Sequence, residues 1–137
     1  MKKKIIILTG SELRHAFFRV RMSNEKDMEV IHTYCEGLEK SLGTIVKREE
    51  NNEMRKKHLE AREQSEKEFF ARYVTETLDL SMPTFMPKGE INNPVYVNQI
   101  IESKPDIIVA YGSSIIKEPL LSAFANRFLN VHLGLSP

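Results

Sequence analysis

Lys4-Ile5-Ile6-Ile7-Leu8-Thr9-Gly10-Ser11 is the stretch on which the fold turns. Residues 4–9 are a continuous, β-branched apolar run, closed by a Gly-Ser pair. An alternating strand leaves one face in water. A strand apolar throughout is buried on both faces, as in a parallel sheet covered by helices. Ser11 is placed to cap a following helix, its hydroxyl accepting free N–H groups of the first turn. Residues 12–21 then carry Leu13, Phe17 and Val20 at helical spacing, with Phe18 beside them. Residues 28–34 read as a second strand centred on Val30 and Ile31, and Gly37 ends that stretch. Strand, helix and strand in close succession make a right-handed parallel unit.

The same grammar recurs downstream. Residues 107–111 are a second apolar strand, entered through Pro105-Asp106 and closed by Gly112-Ser113-Ser114. Before it, Pro94 suits the first turn of a helix over 94–103, with Asn93 as cap and Val95, Ile100 and Ile101 inward. Residues 81–93 hold Pro83, Pro87, Gly89 and Asn92-Asn93-Pro94 and read as a loop. A helix over 119–128 and a last strand over 128–131 follow. Residues 47–68 carry seven basic and seven acidic side chains. Glu53 with Lys57 and Glu63 with Lys67 have the favourable i,i+4 order, and Met54, Ala61, Phe69 and Tyr73 offer a narrow apolar stripe. The reading is one long, mostly solvated helix over 51–77; partner binding is the other reading, and no sustained heptad supports a coiled coil. The expected architecture is α/β, a doubly wound, mainly parallel sheet.

Composition narrows the function. With 137 residues the chain is one domain's worth, and 20 Lys plus Arg against 19 Asp plus Glu leave a net charge of +1. That balance gives no basic field for nucleic acid or an anionic membrane. No apolar run approaches the roughly 20 residues of a membrane helix, and Lys2-Lys3-Lys4 with the short run behind it is too brief for a secretory signal. Cys35 stands alone, which fits a reducing compartment such as the cytoplasm. Neither His32 nor His58 has a partner at metal-ligand spacing, so no metal is expected, and nothing local activates Cys35 as a nucleophile.

In doubly wound sheets ligands bind beyond the carboxyl ends of the strands. Three such ends matter: Thr9-Gly10-Ser11, Tyr111-Gly112-Ser113-Ser114 and Asn130-Val131-His132. In extended chain Asn130 and His132 project to one side and Val131 to the other, toward the core. A neutral amide donor beside an imidazole suits acyl transfer: one holds developing negative charge on oxygen, the other handles an amine proton. The same residues are also consistent with an Asn that satisfies backbone groups and a His packed under a loop. At the first strand end, Ser11, Arg14 and His15 can contact an anionic acceptor, or Ser11 can simply cap the helix. A single glycine there makes neither a dinucleotide fingerprint nor a phosphate loop.

The segment Asn130-Val131-His132-Leu133-Gly134-Leu135-Ser136-Pro137 resembles the active-site signature of the folate-dependent formyltransferases, Asn-x-His-x-Ser-Leu-Leu-Pro. That family includes the glycinamide ribonucleotide, methionyl-tRNA and sugar N-formyltransferases. The match is at Asn130, His132, Leu135 and Pro137; Gly134 stands where Ser is usual and Ser136 where Leu is usual. Lys104-Pro105-Asp106 and the strand to Gly112 resemble the family's preceding block, and Lys88-Gly89-Glu90-Ile91-Asn92 resembles one of its subgroups. The resemblance implies a Rossmann-like formyltransferase fold and transfer of a formyl group from 10-formyltetrahydrofolate to an amine, without a metal. Asn130 would bond the formyl oxygen, and His132 would accept a proton or stabilise charge. Gly112, Ser113, Ser114, Ile115, Ile116 and Lys117 would embrace the pterin, largely through backbone groups.

The family's third catalytic residue, an Asp tens of residues beyond the His, has no counterpart before Pro137. Residues 1–137 therefore read as the N-terminal portion of a formyltransferase-like catalytic domain, incomplete at its C-terminus and alone giving little turnover. The expected acceptor is a small-molecule amine, an amino sugar on a nucleotide or similar, rather than a large RNA. An uncovered apolar sheet edge predicts poor solubility or a homodimer. The rival expectation is a non-catalytic Rossmann-like module that binds a ligand or protein.

Overall fold

The computed structural model describes residues 2–37 and 53–132. Among them, β1 (Lys3–Thr9), β2 (Met28–Glu36), β3 (Pro83–Met86), β4 (Ile107–Tyr111) and β5 (Phe128–Val131) form one sheet. Its order is β3-β2-β1-β4-β5 and every pairing is parallel. The helical elements are α1 (Leu13–Ser23), α2 (Glu53–Glu66), a π turn (Lys67–Ala71), α3 (Arg72–Glu76), a 3-10 turn (Glu90–Asn92), α4 (Pro94–Ser103) and the single turn α5 (Leu120–Ala123).

The β1 run behaves as its composition requires. Ile6, Ile7 and Leu8 are fully buried at the centre of the sheet. Ile6 and Leu8 join Ile108, Tyr34 and the α4 residues Val97 and Ile100 on one face. Ile5 and Ile7 join Val30, Val109 and the α1 residues Phe18 and Met22 on the other. Each fully buried aliphatic side chain contributes roughly 1.5–3 kcal/mol, so this pair of layers fixes β1 as the spine. Strands β1, β2 and β3 progress outward one way, and β4 and β5 lie on the opposite side of β1. The order thus reverses between β1 and β4, the doubly wound switch point.

Four expectations are corrected. Residues 81–93 are not all loop: residues 83–86 pair with β2 as an edge strand, where Pro83 at the first position sacrifices no necessary donor. The helix expected over 119–128 is only Leu120–Ala123, because Asn126 turns left-handed (φ 64°) and the chain leaves to pair with β4. Ser11 does not cap α1. Glu12 is the N-cap residue, its N–H donates to His15 Nδ1, and the Ser11 hydroxyl instead donates to the Glu36 carbonyl. Val131 is 36 % exposed rather than turned into the core.

The long helix is present over the described part of its span, and Tyr73 of the expected stripe packs on the domain while Met54 and Phe69 do not. Met54 and Phe69 are exposed, whereas Phe70 and Tyr73 pack on Phe17 of α1, at 4.5 and 5.1 Å between ring centroids. Arg62 and Glu66 lie on the same inward side, and Glu66 accepts from Arg14. A partly polar inward face defeats a stripe drawn from apolarity alone. Its i,i+4 ion pairs include Arg62–Glu66 and Arg72–Glu76.

Candidate functional site

A cleft of about 550 Å³ opens at the carboxyl ends of β1, β4 and β5, beside the switch point. Residues 110–116 form one wall, Arg14 and His15 another, and Leu121, Phe128, Asn130, Val131 and His132 complete it. Two of the acceptor-side candidates therefore line the cleft; Ser11 does not, and neither does Lys117. Among the described residues no Asp or Glu is in the lining, and residues 133–137, which carry the rest of the signature, lie outside the described residues.

Strand β5 brings Asn130 and His132 together. The β4–β5 pairing holds Asn130 opposite Ala110 and Val131 opposite Tyr111, so the alternation throws residues 130 and 132 to one side. Asn130 Nδ2 and His132 Nε2 are 2.9 Å apart, and both residues are exposed at the cleft. An amide nitrogen can only donate, so in this arrangement Nε2 accepts. The pair presents a donor and a basic nitrogen to the same open space.

His15 occupies the switch point. It is 4 % exposed, stands edge-on to Tyr111 at 4.8 Å, and accepts from the Glu12 N–H through Nδ1. Gly10 and Gly112 make room for it. A Cβ on Gly10 would come within 2.6 Å of the ring, and one on Gly112 within 2.3 Å of Nε2. Gly112 also has φ +77°, a left-handed conformation that favours glycine. Burial, reinforced by the cations Arg14, Lys88 and Arg62, lowers the His15 pKa to about 4. The imidazole is neutral at physiological pH and, with Nδ1 accepting, holds its proton on Nε2. Arg14 is shared between Glu12 and Glu66, which ties α1 to α2.

Two residues unmarked by the sequence reading shape the 112–117 loop. Glu36, fully buried at the end of β2, accepts backbone N–H groups from Gly89 and Ser114. Asn92 donates to the Ile115 carbonyl at 2.8 Å and accepts the Lys117 N–H at 2.9 Å. The available signal was a carboxylate terminating an otherwise core strand, a position where doubly wound sheets concentrate function. Cys35 is buried in β2, and burial pushes its thiol up to about 11, which makes it a packing residue. Among the described residues no helix is long and apolar enough to cross a membrane.

A five-stranded parallel α/β sheet with its cleft at the β1/β4 switch point defines the class. Solved structures narrow it to the formyltransferase-type fold. The chain is similar to phosphoribosylglycinamide formyltransferase from Brucella melitensis, with TM-score 0.50 and 14% identity, over 100% of this chain and 60% of that one. It is also similar to the Streptococcus pneumoniae TIGR4 enzyme of the same name (TM-score 0.47, 15% identity, 96% and 57% covered). A third similarity is to glycinamide ribonucleotide transformylase 1 from Symbiobacterium toebii (TM-score 0.48, 14% identity, 99% and 54% covered). The Brucella likeness carries the fold. The chain spans about 60% of that enzyme's length. No protein-family model matches the sequence.

Proposed function

We propose that this chain is the N-terminal portion of a folate-dependent N-formyltransferase domain, using 10-formyltetrahydrofolate and a small-molecule amine such as an amino sugar nucleotide. The observation that carries the reading is the Asn130–His132 pair, 2.9 Å apart at the mouth of the cleft. The formyltransferase-type fold supports it.

The cleft suits the donor's flat ring. Apolar side chains of Ile115, Ile116, Leu121 and Phe128 line it, beside backbone amides and carbonyls of residues 112–116. Backbone groups of that stretch not already engaged by Glu36 or Asn92 would hold the pterin edges, the hydrogen-bonding mode least sensitive to side-chain identity. When bound, the folate supplies an activated formyl carbon: the amine nitrogen bonds to it, the bond to the folate nitrogen breaks, and one proton passes from amine to leaving nitrogen.

Asn130 has two amide protons. One is directed at His132 and the other is free for a carbonyl oxygen in the cleft, where it stabilises charge developing on that oxygen. His132 Nε2 is the basic nitrogen facing the cleft. It takes the amine proton once the amide turns toward the substrate oxygen. Arg14 and His15 border the opposite wall, where an acceptor amine would enter, with His15 Nε2–H as a neutral donor.

The test is formyl transfer from 10-formyltetrahydrofolate to a panel of amines, with the rest of the proposed domain present, read by mass spectrometry of the products. Asn130→Ala and His132→Ala are expected to lower turnover by about 10²–10³-fold while retaining binding of a folate analogue. Binding lost together with turnover, or turnover retained in both variants, contradicts these roles.

A further inference from the structure

We propose that Glu36 and Asn92 are positioning residues that hold the 112–117 loop in the shape the folate donor binds; this rests on the formyl-transfer reading above. Residues 112–117 lie outside the strands and helices, and the Lys117 carbonyl at their end accepts the Leu121 N–H. A recognition surface made of backbone groups is only as good as the positions of those groups. Two side chains from outside the loop supply that order.

Glu36 sits where the ends of four strands converge. One carboxylate oxygen accepts from Ser114 after β4, the other from Gly89 after β3, and its own carbonyl accepts the Ser11 hydroxyl after β1. A fully buried carboxylate is costly unless such donors satisfy it, so bringing these loops together is the condition for burying it. Asn92 grips the other half of the loop. Its amide bonds both the Ile115 carbonyl and the Lys117 N–H, closing residues 115–117 into a fixed arc. Ile115 itself is 81 % exposed at the cleft, so packing does not hold the arc in place. Glu36 and Asn92 bracket the segment 87–92, so the two clamps act through one piece of chain.

The experiment compares the full chain with Asn92→Ala, Asn92→Asp and Glu36→Gln. It measures hydrogen exchange of the Ser114 and Lys117 amides, the Kd of a non-transferring folate analogue, and thermal stability. For Asn92→Ala we expect faster Lys117 exchange and an analogue Kd raised about tenfold, with Tm little changed. Asn92→Asp keeps the acceptor for Lys117 and is expected to recover part of the exchange protection. Glu36→Gln should accelerate Ser114 exchange. Unchanged Lys117 exchange with unchanged analogue Kd overturns the proposal. So does a Kd change that merely tracks lost Tm, since that is a general fold defect. If the loop amides respond as expected but the parent chain binds no folate analogue, the clamp on the loop stands and the formyl-transfer reading falls.

Discussion

At the scale of single residues, His15 makes the sharpest physical demand. Its folded pKa of about 4 lies below the 6.5 of an unfolded histidine, so the unfolded chain binds the extra proton between those values. The stability contributed by keeping His15 neutral is therefore fully present above about pH 6.5 and is lost as pH falls toward 4. His15→Gln should remove up to about 3 kcal/mol of pH-dependent stability over that window, measured as the difference between the two proteins' urea-unfolding curves. Parallel curves from pH 4 to 7 contradict the assignment. Gly112→Ala tests the same packing from the other side. A methyl group would meet the imidazole at 2.3 Å on a backbone with φ +77°, and about 3 kcal/mol of destabilisation is expected in thermal unfolding. Some of this site was legible in advance. Asn130 lies on β5 and His132 one residue past its end, so the extended period of two brings their side chains to one side. The burial of His15 was not legible, because the two glycines that admit it are about 100 residues apart in sequence. The roles of Glu36 and Asn92 were harder to read: their partners are backbone groups, which leave no trace in side-chain pattern, and only the carboxylate ending a core strand pointed to Glu36.

At the scale of elements, the start of α4 is the best case for local signals, although Val95 (60 % exposed) and Ile101 (36 %) do not turn inward as the spacing predicts. Asn93 caps it by accepting the Val95 N–H at 3.0 Å, and Pro94 opens it, as their chemistry dictates. Asn93→Ala should cost about 1 kcal/mol in equilibrium unfolding, and no measurable loss would show that the cap is redundant. Strand β3 is the opposite case. Two prolines over a few residues argue for loop, yet an edge strand tolerates them, and edge position is a property of the sheet rather than of the segment. The α2–α3 helix matched its expected stripe at Tyr73 and missed it at Met54 and Phe69. Its domain-facing side combines Phe70 and Tyr73 with the pair Arg62–Glu66, so charge and apolarity share one face.

At the scale of the molecule, the fold was readable because a continuous apolar β1 flanked by helical periodicity admits few architectures, and the observed order β3-β2-β1-β4-β5 is one of them. That order puts the switch point between β1 and β4, and the cleft follows from it. The central claim is that this cleft takes the folate with its formyl group beside Asn130 and His132. A chemical-shift titration of the full chain with a non-transferring folate analogue tests this without knowledge of the acceptor. The account predicts saturable shifts of the backbone amides of Gly112, Ser114, Ile115 and Ile116, together with the Asn130 side-chain amide and the His132 ring. No saturable shifts, or shifts confined to another face of the sheet, would contradict it.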